Sequence, residues 1–151
     1  MCGLAGILTT RPDRRATLDA AVTRLRTPIR HRGPDDDGAF VDADAGLGLG
    51  FQRLSILDLS PAGHQPMRSA SGRFVIAFNG EIYNHRALRT ELAALGHAFR
   101  GHSDTEVILA AVEQWGLAGA LPRFAGMFAI ALWDTQERAL TLARDRLGKK
   151  P

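Results

Sequence analysis

Short, apolar, β-compatible runs stand near both ends of this 151-residue chain, with helical stripes between them. A chain patterned in this way has to cover its sheets with helices, which makes it an α+β layered protein. Gly3 to Thr10 is small and apolar and reads as a first buried strand. Leu18, Val22, Leu25 and Ile29 follow at steps of four, three and four and predict a helix with one apolar stripe. That helix should end in the stretch HRGPDDDG, which reads as a loop because Gly33, Pro34 and Gly38 all discourage helix. Gly46 to Phe51 and Arg73 to Phe78 are strand-like, and a second helix begins near His85, carries Leu88, Leu92 and Leu95, and stops at Gly96.

The stretch GHSDTEVILAAVEQWG can be argued residue by residue. Ser103 or Asp104 can cap the orphan N–H groups, Glu106 stands three residues after Ser103, and Val107, Ile108, Ala111, Val112 and Trp115 form a buried stripe. Finally MFAIALWD and ALTLARD read as two strands of a hairpin joined by the polar TQER.

Composition narrows the class. The chain is 45% hydrophobic and 23% charged, an ordinary domain long enough for one real core, so a single domain over 1–151 is the default. No apolar run approaches the roughly 20 residues of a membrane span, and the first ten residues lack a basic signal-peptide region. The net charge of +3 gathers in arginines of the first forty residues, but no aromatic precedes Phe40 and three aspartates follow at 35–37. A mixed solvated surface is therefore expected, with no nucleic acid and no membrane as partner. His97, His102 and Asp104 show no clear convergence, so no metal is expected. GLGLG at 46–50 does not match a dinucleotide fingerprint. One cysteine cannot form an internal disulfide, which fits a reducing cytoplasm.

That one cysteine is residue 2. Removal of Met1 would leave a free α-amino group on the same residue as the thiol, joining a nucleophile to a base; in reference peptides such amines titrate near 8 and thiols near 8.5. The amine can take the thiol proton and later return it to a leaving amine, as in enzymes with an N-terminal threonine nucleophile. A small buried structural thiol is the alternative.

MCGLAGI, HRGPDDDG, QRLSILDLS, GHQPM, FNGEIYNH, SDTEVIL, GMFAIALWD and RDRLGKKP, in this order, resemble the class II glutamine amidotransferase domain of glutamine-hydrolysing asparagine synthetases. The resemblance covers essentially the whole chain. It implies the fold of the N-terminal-nucleophile hydrolases, a four-layer αββα sandwich of two antiparallel sheets, and hydrolysis of L-glutamine to glutamate and ammonia through a Cys2 thioester. It implies that the Asn79 side-chain amide and the Gly80 N–H, in an NGE turn, hold the oxyanion; a simple tight turn is the alternative. It implies further that Arg53 binds the substrate α-carboxylate and Asp104 the α-ammonium, with Glu81 and the backbone around Leu54 and Ile56 completing the pocket. A surface arginine and a helix cap are the alternatives for Arg53 and Asp104. Arg32 is expected to support the site without touching substrate.

Three residues depart from the family pattern: Phe51 and Gln52 before RLS, and Lys149 in the DRLG block. The resemblance also implies more glutaminase sequence after that block and a partner synthetase domain, where ATP and Mg would act; no cofactor is expected in this domain. The expectation is thus an incomplete module. Its ammonia acceptor is an activated aspartate or another carboxylate, an inactive module is the non-enzymatic alternative, and homodimerisation is left open.

Overall fold

The computed structural model describes residues 2–10 and 12–150. The chain, expected as one domain, divides into two compact units: one takes the segment up to Ser55 with His64–Pro66, the other takes Ile56–Gly63 and the segment from Met67 onward.

In the first unit, strand β1 (Gly3–Leu8) leads to helix α1 (Arg15–Arg26), then to β2 (Asp36–Asp42) and β3 (Leu47–Arg53). The antiparallel sheet has the order β1-β3-β2. The glycines of GLGLG owe their place to packing. A Cβ on Gly48 would overlap Val22 Cγ2, and one on Gly50 would come within 2.9 Å of Val22 Cγ1, so α1 lies directly against β3. Leu18, Val22 and Val41 form the buried cluster there. Pro28 lacks the N–H that would continue α1, and Thr27–Arg32 tightens into a 3-10 helix. The expected HRGPDDDG loop is corrected here, because Asp36, Asp37 and Gly38 open β2. Two aspartates and a glycine argue against a strand by propensity, and pairing with Arg53, Gln52 and Phe51 of β3 overrides that preference.

In the second unit, β4 (Met67–Arg68), β5 (Phe74–Ile82), β6 (Gly126–Asp134) and β7 (Ala139–Arg144) form an antiparallel sheet in that order. Helices α2 (His85–Ala94) and α3 (Asp104–Ala120) pack with Ile76, Phe78, Ile82, Phe128, Ile130 and Leu132 into one buried core. Helix α3 begins as anticipated: Ser103 is the N-cap, its Oγ accepting the Glu106 N–H at 3.3 Å. The Glu106 carboxylate reaches back to the N–H groups of Arg100 and Gly101 at 3.0 and 2.8 Å. Gly116, at φ 68°, breaks α3 where the helical pattern runs out. The β6–β7 hairpin lies where it was expected. The strand read as Arg73–Phe78 runs on through Asn79, Gly80, Glu81 and Ile82, so the NGE segment is strand, not turn. No helix among the described residues is long and apolar enough to cross a membrane.

The contact of α1 with β3 makes a direct test. Gly48→Ala should destabilise the protein by about 1–3 kcal/mol, the usual cost of overpacking. Adding Val22→Ala should return part of that loss, giving a favourable coupling in a double-mutant cycle followed by urea denaturation. Strict additivity would show that the two side chains do not compete for one space.

Candidate active site

The register of β1 on β3 ends at Gly3 opposite Gln52, which leaves Cys2 just beyond the paired residues, beside the end of β3. There the Leu54 N–H donates to Cys2 Sγ at 3.3 Å, and the thiol reaches the Leu54 carbonyl at 3.5 Å. Arg32 donates Nε–H to the Cys2 carbonyl at 3.2 Å. Gly33 is required beside it, since a Cβ would meet the Gln52 and Arg53 backbone at 2.5 Å. The sulfur is thus half-buried and held by backbone on a strand end.

Arg53 is 7% exposed, so it is not a surface arginine. Its Nη1 lies 3.8 Å from Asp36 Oδ2, and that carboxylate also takes His64 Nδ1 at 2.8 Å. Asp36, the second aspartate of the DDD run, therefore stands between two basic side chains, a role the sequence reading missed. Its signal was its place opposite Arg53 in the β2–β3 ladder, which needs the strand to be recognised first. Asp35 takes the Ser55 N–H at 2.8 Å and so fixes the chain just after Leu54.

In the second unit the pairing of β5 with β6 decides which way residues 79–82 face. Ile82 lies opposite Gly126 and donates its N–H to Asp104 Oδ2 at 2.9 Å, so its peptide groups point away from β6. Antiparallel pairs alternate in this respect, so Gly80, two residues earlier, points the same way. Phe128, the partner of Gly80, agrees from the other side, since both its N–H and its carbonyl are engaged by Asp145. β4 pairs only with Val75 and Ile76, so no strand of this sheet covers the edge where the Gly80 N–H emerges. That donor and the Ile82 N–H share one strand edge roughly 6.8 Å apart, two residues of antiparallel rise. Gly80 must be glycine, because a Cβ would strike the Met127 carbonyl and the Phe128 Cα of β6.

Asn79 places its own peptide groups in the ladder opposite Ala129 and turns its side chain to the sheet face away from the helices. It is 6% exposed. Glu81, half-buried, follows on the same face.

Asp104 is not the cap of α3, because Ser103 fills that position. It is 6% exposed, and desolvation pushes its carboxyl above the ordinary aspartate range against the opposing pull of the Ile82 N–H and of His85. Ile56, by contrast, is 66% exposed. Its loop is anchored by Asp58, which takes the Ser60 N–H and Oγ–H and the His102 N–H at 2.8, 2.6 and 2.7 Å. Asp58, too, was missed, although D-L-S is a local signature for such a turn.

The structure thus brings Cys2, Arg32, Arg53 and Leu54 to one strand end in the first unit, and Asn79, Gly80, Glu81 and Asp104 to one edge of β5 in the second. Among the described residues no group of three His, Cys, Asp or Glu could hold a metal; His97 pairs with Gln114 and the His102 N–H goes to Asp58. A recess between β4 and α3, lined in part by Arg68 and Arg100, includes none of these residues in its lining, and its acids are engaged internally by Ser71, Arg100 and Gly101.

Comparison with known proteins gives these placements a context. The family model for a glutamine amidotransferase domain matches residues 1–151. A putative glutamine-hydrolysing asparagine synthetase of Mycobacterium tuberculosis is 47% identical over 87% of the chain, and glutamine-hydrolysing asparagine synthetase 1 of Bacillus subtilis is 41% identical over all of it. The chain spans about a fifth to a quarter of their length, 21% and 23%. Among solved structures, the glutamine phosphoribosylpyrophosphate amidotransferase of B. subtilis shares the fold over 68% of this chain and 24% of its own, with a TM-score of 0.57 at 22% identity.

The raised carboxyl of Asp104 has a stability consequence with a definite sign. A carboxyl raised on folding binds its proton more readily in the native state, so it favours folding below the unfolded value, about 3.9, and loses that contribution as pH rises through the native value. Asp104→Asn keeps an oxygen for the Ile82 N–H and removes the buried charge. Its melting temperature should exceed that of the parent at pH 7, and the gap should close toward pH 3.5. A variant less stable at pH 7 would mean that the favourable placement of the charge at the start of α3 outweighs desolvation.

Proposed function

Because the chain belongs to the glutamine amidotransferase domain family, we propose that it hydrolyses the side-chain amide of glutamine with Cys2 as nucleophile. The observation that carries this reading is the Cys2 sulfur, held at Leu54 beside the buried Arg53. With Met1 removed, the α-amino group takes the thiol proton and the sulfur attacks the amide carbon. The carbonyl oxygen becomes an oxyanion, for which the side-chain amide of Asn79 and the outward N–H of Gly80 are the donors. Collapse breaks the C–N bond, the ammonium proton goes to the leaving nitrogen, and ammonia departs from a γ-glutamyl thioester. Water, deprotonated by the same amine, then releases glutamate and restores the thiol.

Selectivity for free glutamine falls to two buried charges. Arg53 takes the α-carboxylate, for which a planar guanidinium is suited, and Asp104 takes the α-ammonium. A ligand lacking either charge leaves a buried group without its counterpart, which is how a site rejects close analogues by large factors. Glu81 and the backbone at Leu54 and Ile56 complete the pocket in this reading.

The names of the relatives support a destination for the ammonia, an ATP-activated aspartate in a synthetase domain of the whole protein. ATP and Mg belong to that acceptor half, and the hydrolysis proposed here draws on this chain's residues alone.

Intact mass before and after a glutamine-mimicking alkylator is the direct test, with Cys2→Ala as control. Loss of Met1 and one adduct that glutamine suppresses are expected; retained Met1, or an adduct that glutamine does not suppress, would remove the assignment. In steady-state kinetics Arg53→Ala should raise KM while leaving kcat within a few-fold. Asn79→Ala should lower kcat by about 10² to 10³, the usual cost of losing one oxyanion donor.

A further inference from the structure

The DRLGKK segment takes no part in the chemistry above, yet it is among the most tightly bonded backbone in the second unit. Strand β7 stops pairing at Arg144 opposite Ala129, and the next residue, Asp145, continues the ladder in an altered form. Its N–H donates to the Phe128 carbonyl at 2.8 Å as a strand residue would. The return bond is made by the side chain: the Phe128 N–H donates to Asp145 Oδ2 at 3.1 Å, a carboxylate in place of the usual carbonyl. The same carboxylate takes the N–H groups of Lys149 at 2.8 Å and Lys150 at 3.0 Å. The Gly148 N–H closes on the Asp145 carbonyl at 3.0 Å, with Gly148 at φ 61°. Asp145 is 5% exposed, and the Lys149 N–H leads the backbone donors that hold its carboxyl below the ordinary range against the effect of burial.

Phe128 is therefore fixed on both its peptide groups from the β7 side. Directly across β6 it faces Gly80, whose missing side chain lets the two backbones approach so closely that a Cβ would overlap the Met127 carbonyl. The Gly80 N–H shares its peptide plane with the Asn79 carbonyl, which lies in the ladder opposite Ala129, and the Ala129 N–H shares its plane with the Phe128 carbonyl, so rotating the peptide groups of Phe128 would re-aim the Gly80 N–H.

We propose that Asp145 is a positioning residue, which through Phe128 sets the direction of the Gly80 N–H. The inference rests on the reading of Gly80 as an oxyanion donor, and its physical content, the coupling of Asp145 to the Gly80 amide, can be measured apart from that reading. A carboxylate accepts bonds from several N–H groups at once, whereas an Asn side chain offers one oxygen and turns an NH₂ toward the rest. Asp145→Asn should therefore leave the Phe128 N–H, the Lys149 N–H or the Lys150 N–H without an acceptor.

The test uses the full chain, labelled with ¹⁵N, as wild type, Asp145→Asn and Gly148→Ala. Gly148→Ala strains the same loop at a positive φ but leaves the Asp145–Phe128 bonds in place. The Gly80 amide resonance is expected to shift in Asp145→Asn and to stay in Gly148→Ala. In the glutaminase assay kcat of Asp145→Asn should fall about tenfold, less than the loss of a donor outright, with KM within twofold. An unmoved Gly80 resonance in Asp145→Asn, an equal shift in Gly148→Ala, or a rise in KM in place of a fall in kcat would each overturn the proposal. If Asp145→Asn does not fold, Asp145→Glu decides by the same resonance. A wild-type chain that does not hydrolyse glutamine would defeat the proposed function, and the Gly80 resonance would still decide the coupling.

Discussion

The antiparallel pairing of β5 with β6 is the constraint on which the second unit depends. Its side-chain period of two puts Ile76, Phe78 and Ile82 against the helices and leaves Asn79 and Glu81 on the other face. A slip of one residue would carry Asn79 into the core of α2 and α3 and turn the Gly80 N–H into the ladder. Both ends of the pair are fixed against that slip. At one end Arg73 holds Asp134 through Nε and Nη2, the latter at 2.6 Å, and the Thr135 N–H reaches the Arg73 carbonyl. At the other, the Tyr83 N–H donates to the Ala125 carbonyl at 2.7 Å, and Asn84 bonds the backbone of Arg123 and Ala125.

The first unit solves a different problem, how to hold a residue that lies beyond the end of its strand. β1 is bonded only to β3 and stops at Gly3, so Cys2 has no ladder partner. It is held instead by three bonds: Leu54 N–H to sulfur, thiol to Leu54 carbonyl, and Arg32 to the Cys2 carbonyl. The chain arrives at Leu54 in a fixed direction because β3 is buried along its whole length, with glycines toward α1 alternating with Leu47, Leu49 and Phe51. Phe51 is fully buried, so this departure from the family pattern is a core residue two positions before Arg53.

Local signals were legible where they sufficed by themselves. Helix α3 carries its cap, its reach-back carboxylate and its stripe within one segment, and its start falls where those residues require. The β6–β7 hairpin likewise declares itself by two apolar runs and a polar turn. Strand β2 did not, because Asp36–Gly38 are extended only by pairing with a strand read as ending before Arg53. For the same reason Asn79–Gly80 resembled a turn: an Asn-Gly pair favours one, and nothing near it in sequence reveals the β6 partner fifty residues on. Of the candidate site, the residue types followed from the family resemblance. The long-range contacts of their supporting acids, Asp36 with Arg53, Asp58 with His102 and Asp145 with Phe128, could not be assigned, since only the fold brings those partners near, although D-L-S marks the local turn at Asp58.

Asp104 shows where the demands of folding and of a site part company. Its helix does not need it as a cap, since Ser103 already accepts the orphan N–H of Glu106. The hydrogen bond it takes from the Ile82 N–H could be accepted by a neutral asparagine oxygen. What the carboxylate adds over that amide is a charge, in a place where burial raises the cost of holding it. A sequence shaped by stability alone has no use for such a group, and departures of this kind concentrate where a ligand is to be held. Two nearby acids, by contrast, are engaged within the fold: Glu106 is committed to Arg100 and Gly101, and Asp58 to Ser60 and His102. Along this edge of β5 the fold thus buries a carboxylate at Asp104 whose charge neither the Ile82 N–H nor the cap of α3 requires.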